Sequence, residues 1–353
     1  MEQTPAPQDP EGREPLPPPS SSGPSAPAGA PRTRPPILRT VGRIVPFIPA
    51  LVPAAIVAAI VYSLLHAAGF SIALHNWRTW QISLPTNFGW EFFGSNWNPP
   101  YSWGIAVFVV GSFLTAVPAL LFSMLIGLGI AIASVAYLPR LVTRFLDPFV
   151  DLLAGIPSVI YGIWGYLVIA PYFGTVLNPY LYEHLRFVPG LGGTMPPSSG
   201  LGLPVGIFLL TLMALPITTL LIRDSLRSVP RDLWESGLAL GATRWEAMRR
   251  ISIPHAKGGI VSAGFLGFGR AFGETVAIAM VLNLVAVYPT NFYGGTATIA
   301  AEMFSILDSA YGNSQFLAAL SEMALILVVI SLAVNVVGRL FISRLSATEI
   351  AGL

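Results

Sequence analysis

Residues 268–275 read Phe-Gly-Arg-Ala-Phe-Gly-Glu-Thr, and they place Arg270 and Glu274 inside a stretch, residues 258–301, that carries no other charge. An uncharged run of this length is typical of a membrane-spanning helix. Placing one charged side chain at mid-bilayer costs about 2.5–3.5 kcal/mol on insertion scales, and ionisable residues that are kept there usually serve function. Arg270 and Glu274 are therefore the first candidate functional residues.

The composition of the 353-residue chain is that of a membrane protein. Hydrophobic residues make up 54% of it and charged residues only 10%, whereas soluble domains carry about 25% charged residues. Cysteine is absent, which excludes disulfides, thiol catalysis and cysteine-ligated metals. The four histidines are scattered and form neither a zinc pair at helical spacing nor a catalytic set. Enzyme chemistry and a resident cofactor or metal are therefore not expected.

Six long, mainly apolar runs predict an all-α protein with six membrane-spanning helices. They cover residues 44–67, 105–137, 152–172, 204–222, 258–287 and 316–337. With six spans, only Arg78 and Arg186 lie on one side of the membrane, while the remaining arginines outside the spans and Lys257 lie on the other. Because arginine and lysine accumulate in cytoplasmic loops, both termini are predicted to be cytoplasmic. The same asymmetry predicts one long tilted helix over residues 105–137 rather than two helices.

Four segments are predicted along the chain. Residues 1–37 are rich in proline and small residues and are expected to be a disordered cytoplasmic tail, because they can bury too little apolar surface. Residues 38–102 hold the first span and an outer segment, residues 103–344 form the membrane core with a basic loop at 223–257, and residues 345–353 form a cytoplasmic C-terminal tail. The outer segment and its end carry five tryptophans, typical of side chains at headgroup level: Trp77, Trp80, Trp90, Trp97 and Trp103.

The basic loop predicts two short helices joined by a turn. Pro230 suits a helix start and Gly241 a break. Thr243 and Glu246 have the spacing of a capping box, and Pro254 is expected to end the second helix. On this evidence alone the loop is either a simple cytoplasmic hairpin or a compact knob that a partner grips.

A spacing within this loop resembles the EAA loop of ABC importer permeases. That family has Glu, two small residues, three of any kind, Gly, nine of any kind, Ile, one more residue, Leu and Pro. The chain departs from it by serine and glycine for two alanines and by Ile253 for leucine, which are mild changes. The resemblance implies that a separate ATPase docks on a set of loop residues: Glu235, Ser236, Gly237, Gly241, Ala242, Ile251 and Pro254.

The chain does not carry the phosphate-binding loop of an ATPase. A Walker A loop ends in Gly-Lys-Ser or Gly-Lys-Thr, and the only lysine of the chain, Lys257, is followed by Gly258. ATP and Mg are therefore expected in the partner ATPase, with no cofactor in this chain.

Arg270 and Glu274 are predicted to lie near the bilayer centre. At about 1.5 Å per residue, Arg270 lies roughly 18 Å beyond Gly258 in a layer about 30 Å thick, and Glu274 follows about one turn later on nearly the same face, close enough to pair. Gly269 and Gly273 are predicted to let a neighbouring helix approach closely.

Three interpretations of this charged pair stay open. It is a structural salt bridge between helices, a proton relay of a secondary transporter, or an anion pathway. In the third and preferred interpretation, the permanently charged guanidinium receives a tetrahedral oxyanion, and the nearby carboxylate holds it in the empty state and prevents tight trapping.

Two stretches narrow the resemblance to the PstC family, the permeases of phosphate-specific ABC importers. Residues 269–277 read Gly-Arg-Ala-Phe-Gly-Glu-Thr-Val-Ala and continue to Met-Val-Leu-Asn at 280–283. Residues 153–162 read Leu-Ala-Gly-Ile-Pro-Ser-Val-Ile-Tyr-Gly, which is similar to the sister permease PstA as well. Phe272 stands where the family usually has leucine, and the proline-rich tail is not a family feature.

The resemblance implies a type I (MetI-like) ABC permease, multi-pass in the bacterial inner membrane, that moves inorganic phosphate inward. Its substrate pathway is implied to include Arg270, Glu274, Thr275 and Ser158. The implied partners are a PstA-like sister permease, a PstB-like ATPase dimer, an extracytoplasmic PstS-like phosphate-binding protein and membrane lipid, with no nucleic acid. Pro157 is expected to kink the third span, and whether that opening lines the pathway or only shapes the bundle is left open.

Three alternative functions stay open beside phosphate import. Another oxyanion such as sulfate or molybdate is the nearest, because specificity is expected to reside in the external binding protein. An ATP-independent secondary transporter would need neither the basic loop nor an ATPase. A phosphate-signalling scaffold would not transport at all.

Overall fold

The computed structural model describes residues 47–68, 71–76, 79–83, 94–99, 102–192 and 194–350. The predicted disordered tail at residues 1–37 lies outside these ranges, as do Trp77 and Trp90 of the outer segment and the last three residues.

The described part of the chain is mainly helical, with two short antiparallel hairpins. Helix α1 (Phe47–Ala67) precedes the hairpins β1–β2 (Ser71–Asn76, Thr79–Ser83) and β3–β4 (Trp97–Asn98, Ser102–Trp103). The helices that follow are α2 (Ala106–Ile132), α3 (Arg140–Ala154), α4 (Ser158–Leu185), α5 (Leu203–Arg227), α6 (Arg231–Ala239), α7 (Arg244–Ala247), α8 (Ile253–Phe272), α9 (Val276–Val281), α10 (Ile299–Ile306) and α11 (Ser314–Ile350). A π turn at Ala133–Tyr137 extends α2, π turns at Gly165–Ile169 and Phe173–Leu177 lie within α4, and a 3₁₀ turn at Asp308–Ala310 follows α10.

Four helices of the described chain are long and apolar enough to cross a membrane. They are Ala106–Tyr137, Ser158–Leu185, Leu203–Arg227 and Ser314–Arg344, and they correspond to the second, third, fourth and sixth predicted spans. The second span is a single helix despite Pro118, as predicted. Pro53–Ala67 is a shorter apolar helix at the first predicted span. The six-span count and the side on which the termini lie stay predictions.

The predicted start of the third span is wrong. Residues 152–154 belong to α3, and Pro157 does not kink a membrane helix but precedes the first residue of α4 with extended backbone (φ −58°, ψ 138°). Proline suits this place because it has no amide hydrogen to offer a helix. The Leu153 carbonyl at the end of α3 accepts a hydrogen bond from the Tyr161 hydroxyl of α4 at 2.9 Å, which joins the two helices across the bend.

The prediction that Pro254 ends a helix is also wrong. A π turn at Met248–Ser252 connects α7 to α8, and the Ile253 amide donates to the Met248 carbonyl, five residues back. The helical path therefore continues through Pro254, which lies in the first turn of α8. Proline has no amide hydrogen and cannot donate a backbone hydrogen bond. The wider π turn directly before Pro254 lets the helix continue without that bond.

Helix α5 is the centre of the core. It packs against α2, α3 and α8, and residues on all its faces are buried, whereas α11 is exposed along much of its length. Glycines allow the close packing: a Cβ on Gly127 of α2 would lie 3.0 Å from the Thr219 hydroxyl, and one on Gly267 of α8 would lie 2.5 Å from the Thr218 methyl. Small residues at such crossings are how membrane helices associate without a hydrophobic driving force between them.

Candidate substrate pathway and docking hairpin

Arg270 lies in the last turn of α8, directly before a break in the predicted fifth span. Helix α8 ends at Phe272, residues 273–275 are not helical, and α9 begins at Val276. Arg270 is exposed, and a Cβ built on the adjacent Gly269 would meet no atom within 4 Å. No other described element covers this face, so the close helix approach predicted at Gly269 and Gly273 does not occur within the described chain.

The prediction that Arg270 and Glu274 form one stripe on a continuous helix is wrong. The backbone turns at Gly273 (φ −90°, ψ 2°) and again at Thr275 (φ −113°, ψ −68°), so the helical repeat that would align the two residues is interrupted. No ion pair recorded among the described residues joins Arg270 to Glu274. The guanidinium is therefore available to a ligand from outside this chain.

The break interrupts the helical series of backbone hydrogen bonds within an apolar segment. The Thr275 hydroxyl donates to the Gly273 carbonyl at 3.3 Å, and α9 resumes with the Ala279 amide donating to the Thr275 carbonyl at 2.9 Å. Irregular backbone at membrane depth is tolerated only where it is buried in protein or lines a water-filled cavity. Thr275 therefore lies where a polar passage is expected.

Helix α4 lies beside this break. A Cβ on Gly162 would lie 2.9 Å from the Ala277 Cα and 2.8 Å from the Met280 sulfur, so α4 and α9 are in close contact. Tyr161 of α4 is buried in one apolar cluster with Ala277 of α9. Ser158 is the first residue of α4, one turn before Gly162. Its hydroxyl forms no hydrogen bond with Arg270 or Glu274 among the described contacts, so the structure places it near the break without joining it to the charged residues.

The predicted hairpin in the basic loop is confirmed as α6, a turn and α7. Gly241 has φ +89°, a left-handed conformation that glycine adopts without strain. The capping box is present: the Glu246 amide donates to the Thr243 hydroxyl at 3.3 Å, and the Thr243 amide donates to the Glu246 carboxylate at 2.9 Å. Two hydrogen bonds from Thr243 lower the pKa of Glu246. The one from the backbone amide has the larger effect, and the one from the hydroxyl has the smaller effect.

The residues predicted to couple to an ATPase fall into two groups on this hairpin. Gly237 packs inward, since a Cβ there would lie 2.5 Å from the Ile251 side chain, and its carbonyl accepts from the Ala242 amide at 3.2 Å. Glu235, Ser236 and Gly241 are exposed instead. Inward residues therefore hold the hairpin together, and the outward ones are free for a partner, as is Pro254 at the exposed start of α8.

The hairpin also presents apolar side chains that sequence reasoning missed. Leu240 at the turn is 90% exposed, and Trp245 and Leu233 are exposed as well. Exposed apolar residues grouped on a protruding element mark an interaction site. The signal was present in the sequence, because Leu240 directly precedes the turn glycine.

A charged cluster between the second half of α3 and the end of α5 was also missed. The Arg223 guanidinium, only 6% exposed, lies 2.8 Å from Asp147 and 3.6 Å from Asp151. Arg227 lies 2.9 Å from the other Asp147 oxygen, and the Ser134 hydroxyl donates to Asp147 at 3.0 Å. The sequence did carry a signal for this cluster. Two aspartates lie four residues apart on α3 and two arginines lie four residues apart on α5, and residues at this spacing share a helix face.

This cluster lowers the pKa of Asp147. Burial raises the pKa, but the hydrogen bonds from Arg227, Ser134 and Arg223 outweigh burial, so that the pKa lies below its usual value of 3.8. A carboxylate with a lowered folded-state pKa stabilises the fold above its usual pKa, and this contribution is lost as the pH falls below that value.

We therefore expect the stability difference between the wild type and Asp147→Asn to depend on pH. Near neutral pH the wild type is expected to unfold at a clearly higher temperature than the variant. At about pH 3, where the unfolded carboxyl is already mostly protonated, the difference between the two temperatures is expected to be smaller. Thermal unfolding of the purified proteins in detergent measures both, and an equal gap at the two pH values would show that the Asp147 charge does not stabilise the fold.

Comparisons with known proteins agree with this architecture. The model of the family "Binding-protein-dependent transport system inner membrane component" matches residues 125–347. The phosphate transport system permease protein PstC of Mesorhizobium japonicum is 35% identical over 76% of this chain and 82% of its own length. PstC of Xylella fastidiosa is 35% identical over 73% of this chain and 80% of its own length.

Solved ABC transporter structures share the fold. A bacterial ABC transporter involved in the import of the acidic polysaccharide alginate aligns with TM-score 0.54 at 16% identity, over 86% of this chain and 99% of its own. An inward-facing MetNI methionine ABC transporter aligns with TM-score 0.53 at 17% identity, over 70% of this chain and 99% of its own. The sequence matches and the shared fold together show that this chain is a multi-pass membrane protein of the binding-protein-dependent transport system inner membrane components, and that it belongs to the PstC family of permeases.

Proposed function

We propose that this chain is the permease subunit of an ATP-driven importer of inorganic phosphate in the bacterial inner membrane. The observation that carries the proposal is the position of Arg270. It is an exposed guanidinium without a carboxylate partner in the described chain, at a helix break within an apolar segment, in a chain of the PstC family.

Arg270 has the chemistry that a tetrahedral oxyanion requires. A guanidinium is permanently charged and donates two parallel hydrogen bonds to phosphate oxygens. Thr275 lies at the same break and adds a hydroxyl group. Glu274 is only four residues away and forms no ion pair with any described residue, so its negative charge opposes tight retention of the anion, which favours passage over storage.

The partners follow from the open surfaces. The uncovered face at Gly269 and Arg270 suits a PstA-like sister permease, which would enclose the pathway between the two chains. The exposed hairpin suits a PstB-like ATPase dimer that binds ATP and Mg, and a PstS-like binding protein would deliver phosphate from outside. Alternating access would then expose Arg270 to each side in turn.

The hairpin formed by α6, the turn and α7 (residues 231–247), called the docking hairpin below, favours this function over a secondary transporter. A transporter without an ATPase needs no protruding knob with an exposed leucine at its tip. Import of another oxyanion is the remaining competitor, because a guanidinium binds sulfate and molybdate through the same fork.

Uptake by the reconstituted importer tests the proposal. Vesicles that contain the complete importer are expected to accumulate labelled phosphate only when ATP and the binding protein are supplied. A large excess of unlabelled phosphate is expected to suppress uptake, whereas the same excess of sulfate or molybdate leaves it unchanged. Equal suppression by sulfate would point to a different oxyanion, and accumulation without ATP would point to a secondary transporter.

A further inference from the structure

The charged cluster of Asp147, Asp151, Arg223 and Arg227 ties together three elements on one side of the molecule. Asp147 on α3 receives Arg223 and Arg227 from α5 at 2.8 and 2.9 Å, and Ser134 from the end of α2 at 3.0 Å. Each Asp147 oxygen is engaged by a different arginine, so the carboxylate fixes α5 at two points one helical turn apart. Any displacement of this end of α5 therefore acts directly on α3.

On one side, the cluster is continuous with the docking hairpin. Helix α5 ends at Arg227, and α6 begins at Arg231. Leu226 and Val229 are buried in one apolar cluster with Met248, which begins the π turn after α7, and the Arg244 guanidinium of α7 donates to the Ala136 carbonyl at 3.3 Å. The hairpin and the end of α5 therefore form one packed unit, and a push on the hairpin reaches Arg223 and Arg227.

On the other side, the cluster is continuous with the substrate pathway. Helix α3 ends at Ala154, and its Leu153 carbonyl is held by the Tyr161 hydroxyl of α4. Close packing at Gly162 then joins α4 to α9, which follows the break that carries Glu274 and Thr275. A displacement of α3 therefore reaches the elements beside Arg270.

The ion pairs of the cluster can fix one arrangement of α3 and α5 and can re-form in a second arrangement. Buried ion pairs add little net stability compared with apolar packing but can specify one geometry. Here the buried Arg223 Nε has no hydrogen-bond partner among the described residues, and Asp151 at 3.6 Å is beyond normal hydrogen-bond distance. The guanidinium therefore has unused donors for a second pairing when α5 shifts against α3.

We propose that the cluster couples the docking hairpin to the substrate pathway, with Asp147 as its positioning residue. The proposal rests on the importer function given above. Helix α5 transmits the movement of the ATPase through Arg223 and Arg227 to Asp147, and α3 carries it to α4 and to the break beside Arg270. Asp147 contacts neither phosphate nor ATP, so its removal separates ATP hydrolysis from transport without removing either site.

The number of phosphate ions transported per ATP hydrolysed tests this coupling. The complete importer with Asp147→Asn is reconstituted in vesicles with the binding protein, and both rates are measured on the same vesicles. Coupling between distant sites typically amounts to a factor of about 5–150. We expect the transport-to-hydrolysis ratio to fall about five-fold or more while ATP hydrolysis stimulated by the binding protein persists.

Asp224→Asn is the matched control. This carboxylate follows Arg223 in the sequence, is 60% exposed and lies 3.9 Å from the guanidinium, so its neutralisation is expected to leave the ratio unchanged. An equal fall in both variants would reduce the effect to net charge and overturn the proposal. A normal ratio in assembled Asp147→Asn would overturn it as well, even with a reduced yield of complex, because a purely structural role changes yield and not stoichiometry.

A second variant decides the question if Asp147→Asn does not assemble. Arg227→Gln keeps the buried Arg223–Asp147 pair and removes the 47% exposed arginine that holds the other Asp147 oxygen. We expect a smaller but measurable fall in the ratio, and an unchanged ratio overturns the proposal. Absence of phosphate uptake by the wild type would instead contradict the importer function, so the two failures are distinguishable.

Discussion

Replacement of Arg270 by alanine is expected to abolish phosphate uptake while the importer stays assembled. Hydrogen bonds to charged groups contribute about 1.5–3 kcal/mol each, and each 1.4 kcal/mol corresponds to a factor of ten. Loss of a two-bond guanidinium–phosphate contact is therefore expected to lower transport about 100-fold or more. Labelled phosphate uptake in cells that express the whole importer gives the rate, and co-purification of the subunits reports assembly.

The importer with Arg270→Ala is expected to assemble for a structural reason. Arg270 makes no ion pair in the described chain and its face is open, so truncation orphans no carboxylate and opens no cavity within the subunit. Arg270→Lys keeps the charge but not the planar fork, and it is expected to retain partial uptake. Arg339→Ala removes another exposed arginine, on α11, and is expected to transport normally. Normal uptake by Arg270→Ala would remove this residue from the mechanism.

The helix break changes the interpretation of the charge on Glu274. On a continuous helix it would neutralise Arg270 as an i, i+4 partner, and the pair would be consistent with a purely structural bridge. In the structure the break at residues 273–275 separates the two, and no ion pair joins them among the described residues. Two charges that have no ion-pair partner in the described ranges are costly in an apolar segment, which favours a ligand as the missing partner.

Local patterns predicted several elements correctly because the interactions that form them are local. Thr243 and Glu246 form the capping box that their spacing predicts, and Gly241 adopts the left-handed turn. The arginine distribution predicted that Pro118 lies within one long helix, which α2 confirms. The family of the chain was likewise readable from short motifs at residues 153–162 and 269–283.

The features that sequence reasoning missed have different causes. The break after Phe272 interrupts an apolar run that contains no proline, but it had a local signal that was overlooked: Gly273 is the C-cap of α8 and Thr275 the N-cap of α9. The prediction that Pro254 ends a helix fails because the π turn that accommodates this proline has no sequence signature of its own. Asp147 and Arg227 are 80 residues apart, and only the packing of α3 on α5 brings them together.

Substitution of Gly241 by glutamate is expected to release the ATPase from the permease. A side chain at φ +89° costs about 1–2 kcal/mol of backbone strain, and a charge placed in an apolar interface beside Leu240 costs several kcal/mol more. Even about 3 kcal/mol, less than this sum, corresponds to roughly 100-fold weaker docking. Co-purification of the ATPase with the permease and phosphate uptake in cells are both expected to fall to near background.

Two further substitutions at Gly241 separate strain from charge. Asparagine tolerates the left-handed region and is neutral, so Gly241→Asn is expected to keep most of the co-purification and uptake. Gly241→Ala adds a methyl group that meets no atom within 4 Å, so its effect reports backbone strain alone and is expected to fall between the other two. Unchanged co-purification together with normal uptake in Gly241→Glu would contradict the assignment of this hairpin as the docking site, because a carboxylate at the exposed tip cannot enter an apolar partner groove without cost.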